Sequence, residues 1–437
     1  MSNQIKSVAV IGGGTMGTGI AGLCAQTDHK VLLLDVSEEA IKKAKDRILN
    51  GRPPAVDDPE KARNITFGTI DNDLALVANY DWICEAVVED LPTKRALFEK
   101  LEPLRRENSI ISTNTSGIPL RDITEGMPDS LKNNIAVTHF FNPVKAMRLI
   151  ELIPGEQTSP DVMNALSTFI GTQLGKGVVH AKDTVNFIGN RIGCFWMMTG
   201  LHYAQDAVDD GLPMEQIDAL MSSPMGLPPT GLYGLIDLIG LDVMDLVGKN
   251  LAVNLPAGDK GLDFIALPGP IHKMLERGQI GRKAGAGFYR MQKLDDGSRK
   301  TEIFDLLDGD WRASEKFQLD DAHASLDVLL ADDAAGEVAW KIMGGTLCYA
   351  ADLIPEIADD LISIDRAMKW GYAWGRGPFE IIDALGAKNV IARIDASGSD
   401  MPKMLKVLAD AGADSFYRTD GREYMGLDGQ YHPTPSE

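Results

Sequence analysis

His139 and Glu151 are the residues whose type and setting point first to chemistry. His139 ends a β-type run, Ile135–His139, inside Thr138-His139-Phe140-Phe141-Asn142-Pro143; Glu151 interrupts the apolar run Leu149-Ile150-Glu151-Leu152-Ile153. A carboxylate among apolar neighbours is costly unless paired. An imidazole is a natural partner, because the pairing fixes its tautomer and raises its basicity, as a general base requires. A satisfied core histidine and an edge-strand carboxylate facing water account for the same letters equally well. A second polar segment, Ser112-Thr113-Asn114-Thr115-Ser116-Gly117, also follows a β run.

The other chemistry is in the first turn. Gly12-Gly13-Gly14-Thr15-Met16-Gly17 follows the apolar run Ser7–Ile11 and precedes a helical stretch of small residues. Asp35 closes the next strand, 18 residues beyond Gly17. Strand, glycines, helix and acid in that order form the dinucleotide-binding pattern. Gly12 permits the tight turn, Gly14 lets a pyrophosphate approach the backbone, and Gly17 lets helix and strand pack. The helix start offers unpaired N–H groups to the phosphates. Asp35 accepts the ribose hydroxyls and repels a 2′-phosphate, so the expected cofactor is NAD rather than NADP.

Strand-like and helix-like runs alternate around these groups. Strands are expected at Ser7–Ile11, Lys30–Leu34, Ile65–Phe67, Trp82–Val88, Ser109–Thr113, Ile135–His139, Leu149–Ile153 and Gly177–His180, with helices between several of them. Continuous apolar strands mark a parallel sheet covered on both faces. Ligands of such open α/β sheets bind at strand ends, where the candidate residues fall.

After residue 182 the β pattern fades. Asp183 reads as the N-cap of a helix carrying Phe187, Ile188, Ile192 and Phe195. Then the sequence repeats itself at a spacing of 146 or 147 residues: Leu201–Ala204 as Leu347–Ala350, Ile217–Met221 as Ile364–Met368, Leu235–Gly240 as Ile381–Gly386. That spacing exceeds solenoid periods of about 20–50 residues and indicates a duplicated domain. The expected divisions are 1–182 nucleotide-binding, 183–292 first helical copy, 293–325 a polar linker, and 326–437 second copy with a polar tail.

Composition narrows the classes. The 437 residues are 44% hydrophobic and 24% charged, near the globular norm, with a net charge of −20. Nucleic-acid binders carry a basic surplus or stripe, and none is evident here. No apolar run reaches 18 residues, and the opening Met-Ser-Asn-Gln-Ile-Lys lacks the apolar core of a secretory signal, so a cytoplasmic location is expected. Cys24, Cys84, Cys194 and Cys348 are widely spaced and read as buried free thiols; no metal site is expected.

The glycine turn, Asn114-Thr115-Ser116, His139-Phe140-Phe141-Asn142-Pro143, Glu151, the run Asp183-Thr184-Val185-Asn186-Phe187-Ile188-Gly189-Asn190-Arg191 and the run Gly281-Arg282-Lys283-Ala284-Gly285-Ala286-Gly287-Phe288-Tyr289 together resemble the (S)-3-hydroxyacyl-CoA dehydrogenase family. They do so in order along nearly the whole chain. The form resembled is the one with a duplicated C-terminal helical domain, as in the dehydrogenase part of bifunctional β-oxidation enzymes. The fold implied is α/β followed by all-α: a Rossmann-type NAD-binding domain plus two duplicated helical domains.

The resemblance implies oxidation of 3-hydroxyacyl-CoA to 3-ketoacyl-CoA in fatty-acid β-oxidation, with hydride transfer to NAD. By it His139 is the base, Glu151 orients it, and Ser116 and Asn190 bind the reacting oxygen and the substrate. Cofactor contacts fall on Gly12, Gly14, Thr15, Met16, Gly17, Asp35, Glu89, Lys94, Asn142 and Lys283. Lys42 and Lys43, on the helix after Asp35, are candidates for the coenzyme A phosphates. Taken singly, Ser116 also reads as a helix cap, Asn190 as a polar helix face, and Glu89 with Lys94 as a surface pair. Asn142 likewise reads as a turn former, and Lys42, Lys43 and Lys283 as solvated cations. A single-copy member pairs as a homodimer, so the second copy is expected to replace the partner and leave a monomer with an internal pseudo-dimer. An enoyl-CoA hydratase is the expected partner, separate or fused. The rival readings are a sister NAD-dependent dehydrogenase of a non-CoA hydroxy acid, and a non-catalytic scaffold that docks a hydratase.

Overall fold

Strand β1 (Ser7–Ile11) is buried at every position, as a continuous apolar run requires. The computed structural model describes residues 4–294 and 297–436. Met1–Asn3 of the opening segment, Asp295 and Asp296 of the expected linker, and Glu437 of the tail lie outside the described residues. The chain divides after Ile188. Residues up to Ile188, with Glu356–Ala358, cluster as one unit; Gly189–Pro355 and Asp359–Ser436 form the second.

The first unit is built on one eight-stranded sheet. Its strands are β1, β2 (Lys30–Asp35), β3 (Ile65–Thr69), β4 (Trp82–Glu85), β5 (Ile110–Thr113), β6 (Ile135–Phe140), β7 (Leu149–Pro154) and β8 (Gly177–His180), in the order β3-β2-β1-β4-β5-β6-β7-β8. All neighbours are parallel except β6 and β7. The order reverses at β1, between β2 and β4, which is the switch point where such sheets bind ligands beyond their carboxyl ends. Side chains alternate between faces, so Val8, Val10, Val31, Leu33, Trp82, Cys84, Phe140, Ile150 and Leu152 share one face and its core. Each such fully buried aliphatic side chain contributes about 1.5–3 kcal/mol.

Two expectations are corrected in this unit. The fourth strand stops at Glu85, not Val88; Val87 N–H donates to Glu85 Oε1, which turns the chain out of the sheet and leaves Val88 67% exposed. Asp183 does cap a helix, but a different one. Its carboxylate accepts the amides of Leu120 and Arg121, at the start of the helix Leu120–Thr124. The helix beyond Asp183 begins only at Gly189, because Asn186 and Phe187 have left-handed φ values of 61° and 51°.

The second unit is helical, with two small antiparallel sheets: β9 (Tyr289–Lys293), β10 (Arg299–Asp305) and β11 (Asp310–Ala313), and β12 (Tyr417–Arg418), β13 (Glu423–Met425) and β14 (Tyr431–Pro433). The first occupies the segment expected to be a polar linker or hairpin; the last strand uses part of the polar tail. The 21-residue helix Gly189–Asp209 is buried over most of its length because elements of both repeats pack on it.

The repeat extends to a hydrogen-bond pattern. Asp218 accepts Tyr233 N–H (2.7 Å) and the Tyr289 hydroxyl (2.8 Å); Asp365 accepts Phe379 N–H and the Tyr417 hydroxyl, both at 2.8 Å. Asp237 accepts the amides of Phe288 and Tyr289, and Asp383 those of Phe416 and Tyr417. In each copy, one buried and one half-buried acid thus tie the helix start and the following small sheet together.

Candidate active site

The glycine turn has the shape a dinucleotide needs. Gly12 has φ 109°, and a Cβ there would lie 2.3 Å from Ala86 O. A Cβ on Gly17 would lie 1.8 Å from Gly12 O, so only glycine lets the helix start against the strand. Gly14 is the contrast: a Cβ there meets nothing within 4 Å, and Gly14 is the N-cap of the helix Thr15–Gln26 with no side chain capping its amides. That open helix start suits a pyrophosphate. Thr15, exposed, and Met16, half-buried, open the helix. Asp35 Oδ2 accepts Gly13 N–H at 2.7 Å, which fixes the acid beside the turn. Arg47 Nη1 donates to Gly13 O (3.0 Å), a further brace that the sequence pattern does not mark.

His139 and Glu151 come together through strand register. They are direct partners across the antiparallel pair β6–β7. His139 Nδ1 lies 2.7 Å from Glu151 Oε2, and both side chains are buried. Glu151 Oε1 accepts Ile188 N–H at 3.0 Å, so both carboxylate oxygens face donors. Phe141 and Phe187 flank the imidazole, with ring centroids 4.6 and 5.6 Å away. With Nδ1–H held by the acid, Nε2 is the nitrogen set up to take a proton. Glu151 is therefore not a carboxylate facing water, and the buried histidine has its acid partner.

Glu89 and Lys94 are not a solvated surface pair. Lys94 is 1% exposed and donates to Glu85 Oε1 and Oε2 at 2.8 and 3.1 Å, with Glu89 at 3.2 Å. Thr113 donates to Glu85 Oε2 at 2.6 Å. Glu89 in turn accepts the Thr115 hydroxyl (2.6 Å) and the amides of Ser116 (2.8 Å) and Gly117 (3.1 Å). Burial pushes its carboxyl up, but the Lys94 charge and the Thr115 and Ser116 bonds outweigh that and hold it below its ordinary value. Ser116 is exposed on this turn, and it does not cap the next helix, whose first amides belong to Asp183. Glu85 and Thr113 are the members the sequence reading missed. An acid inside the expected strand Trp82–Val88 was the available signal.

Asn142 is exposed just past β6. The loop after it is braced by Lys176, whose Nζ donates to the carbonyls of Val144 (2.5 Å), Lys145 (3.1 Å) and Met147 (2.7 Å). Burial lowers this lysine to about 8. A Cβ on Gly19 would lie 2.8 Å from Val144, so the loop also packs on the first helix. Lys42 and Lys43 are exposed, Lys43 with Glu39 at 2.7 Å. Asn190 and Lys283 belong to the second unit. Asn190 Oδ1 accepts the Tyr372 hydroxyl at 3.0 Å, and Lys283 pairs with Asp242 at 2.6 Å.

Known proteins agree with this architecture. Residues 7–184 match the family model "3-hydroxyacyl-CoA dehydrogenase, NAD binding domain", and residues 187–291 match "3-hydroxyacyl-CoA dehydrogenase, C-terminal domain". A Rickettsia felis protein whose name refers to a fatty acid oxidation complex trifunctional enzyme is 37% identical over 93% of this chain. The chain spans only 57% of that relative's length. The mitochondrial hydroxyacyl-coenzyme A dehydrogenase of Rattus norvegicus is 32% identical over 65% of this chain and 91% of its own. The solved 3-hydroxybutyryl-CoA dehydrogenase of Escherichia coli shares the fold, with TM-score 0.72 and 24% identity over 94% of this chain and 99% of its own. With its NAD-binding and C-terminal segments both matched, this chain belongs to the 3-hydroxyacyl-CoA dehydrogenase family.

Proposed function

We propose that the chain oxidises (S)-3-hydroxyacyl-CoA to 3-ketoacyl-CoA with NAD, in fatty-acid β-oxidation. The observation that carries this is the 2.7 Å contact of His139 Nδ1 with Glu151 in a unit that also holds an open phosphate-binding turn. His139 Nε2 takes the proton of the 3-hydroxyl as its C–O bond becomes a carbonyl. Glu151 stabilises the resulting imidazolium. NAD bound at the glycine turn would supply the hydride acceptor for carbon 3. Gly12, Gly14, Thr15, Met16 and Gly17 hold its pyrophosphate, Asp35 its adenosine ribose, and Asn142 and Lys283 the remaining contacts. Glu89 and Lys94 act by fixing the turn that carries Ser116. Ser116 and Asn190 hydrogen-bond the reacting oxygen and the substrate, and Lys42 and Lys43 meet the coenzyme A phosphates.

The second helical copy replaces a homodimer partner of the first, leaving a monomer. Supporting this, the Phe195 and Tyr349 rings stack at 3.9 Å, Arg191 Nε donates to the Tyr349 hydroxyl at 2.6 Å, and that hydroxyl donates to Asp259 Oδ1 at 3.0 Å. Light scattering should give one chain per particle; a tight dimer would count against this reading. The hydroxyacyl substrate is the product of enoyl-CoA hydration, which makes an enoyl-CoA hydratase, separate or fused, the expected partner. Four free cysteines suit a reducing compartment, and we place the chain in the cytoplasm.

Acetoacetyl-CoA with NADH tests the activity. Loss of NADH absorbance is expected. Turnover of free hydroxy or keto acids with none of the thioester would identify the sister dehydrogenase. Binding of NADH and acyl-CoA without turnover of either class would identify a scaffold.

A further inference from the structure

The second helical copy delivers a side chain to the residue read above as a substrate contact. Tyr372 follows the helix Leu361–Gly371 of that copy, and its hydroxyl donates to Asn190 Oδ1 at 3.0 Å. The two residues are 182 positions apart. The tyrosine ring lies against Gly193, one turn further along the Asn190 helix, where a Cβ would fall 2.1 Å from Tyr372 Cζ. Only glycine admits the ring there. The turn that carries Tyr372 is anchored on the first copy at two more points. Trp374 meets Trp196 edge-to-face with centroids 6.2 Å apart, and Gly375 N–H donates to Gly226 O at 2.7 Å. Between these anchors Ala373 takes the left-handed φ of 55°, a conformation that L side chains adopt only where the surroundings hold it.

We propose that Tyr372 is a positioning residue for the reaction: its hydroxyl fixes the side-chain amide of Asn190 so that the NH2 group is the face offered to substrate. This rests on Asn190 being a substrate contact. An asparagine amide has an acceptor end and a donor end, and rotation by 180° exchanges them. A hydroxyl donating to Oδ1 selects one rotamer and turns both N–H donors the other way. A substrate oxygen gaining negative charge needs donors there; the flipped amide would present a carbonyl oxygen to it. At the repeat spacing the reciprocal pair would be Gly336 or Glu337 with Met225 or Gly226, none of which can reproduce a tyrosine–asparagine bond. The duplication has therefore kept this contact only on the copy that carries Asn190. The second copy does more than cover the apolar surface of the first.

The test compares wild type, Tyr372→Phe, Asn190→Ala and the double variant in NADH-dependent reduction of acetoacetyl-CoA, with melting temperature and NADH affinity measured on each. Tyr372→Phe keeps the ring on Gly193 and removes one hydrogen bond. Its kcat should fall about five-fold, the scale of one net hydrogen bond, with melting temperature and NADH affinity unchanged. The double variant should be no slower than Asn190→Ala alone, because without the amide there is nothing left to orient. Wild-type kcat in Tyr372→Phe, with Asn190→Ala impaired, would overturn the role of Tyr372 alone. So would losses that multiply in the double variant. Full turnover in Asn190→Ala would overturn the reading of Asn190 itself, and the proposal with it.

Discussion

Glu151 lies opposite His139 in the one antiparallel pairing that the large sheet has among the described residues, and that register sets their 2.7 Å contact. Both residues belong to the sheet face opposite Phe140, Ile150 and Leu152. Since side chains alternate, a one-residue slip of β7 would turn Glu151 to the other face and put an apolar residue against the imidazole. The apolar residues on either side of Glu151 lock the register, so the core and the His139–Glu151 contact depend on the same alignment.

Replacing Glu151 by Gln should lower turnover by about 10²–10⁴-fold, the range attached to a positioned acid–base group. Both oxygens of Glu151 receive donors, His139 on Oε2 and Ile188 N–H on Oε1, so a glutamine must turn its NH2 toward one of them. Steady-state kinetics and the melting temperature should fall together. Unchanged kcat would remove Glu151 from the mechanism.

Lys94→Met should destabilise the chain by about 3–5 kcal/mol, because it leaves the 0%-exposed Glu85 carboxylate without its cation. The double change Glu85→Gln with Lys94→Met should recover much of that loss. Urea denaturation measures both. If the single change costs nothing, Lys94 is not the counterion that the 2.8 Å contact implies.

Asp35→Ser should shift cofactor preference toward NADP by at least about ten-fold in the ratio of kcat/KM values, by removing a negative charge from the ribose position. Activity with NAD should also drop, since Asp35 anchors Gly13 N–H. An unchanged ratio of the two cofactors would show that Asp35 does not face the ribose.

The helical unit should weaken as pH rises. Burial pushes Asp218 up to about 7, and Asp237 and Asp383 up to about 6, outweighing the hydrogen bonds they accept. A carboxyl with a raised folded-state pKa is favoured neutral. Its contribution is fully present below the unfolded value, near 4, and is lost as pH climbs through 6 to 7. Five of the six tryptophans, all but Trp82, are in this unit, so tryptophan fluorescence reports its unfolding. The urea midpoint should be higher at pH 5.5 than at pH 8, with a shallower slope in Asp218→Asn.

Where local composition dictates structure, the sequence is easily read. The apolar runs Ser7–Ile11 and Leu149–Ile153 fall on β1 and β7, and the glycines of the first turn are where no Cβ would fit or where the surface is open. What is illegible depends on partners far along the chain. Asp183 has the letters of a cap for the helix after it but caps one some 60 residues earlier, a choice decided by the left-handed Asn186 and Phe187. Glu85 falls inside the expected strand Trp82–Val88, and no local pattern marks Lys176. Their roles, holding Lys94 and three loop carbonyls, come from tertiary contacts that no periodicity encodes. Tyr372 lies in a different repeat from its partner.

Replacing His139 by Gln separates proton transfer to its imidazole from binding of the cofactor. Single-turnover reduction of acetoacetyl-CoA should slow by about 10²–10⁴-fold, while NADH binding, followed by fluorescence, keeps its wild-type affinity because the glycine turn and Asp35 are untouched. Turnover within a few-fold of wild type would mean that a group other than His139 takes the proton.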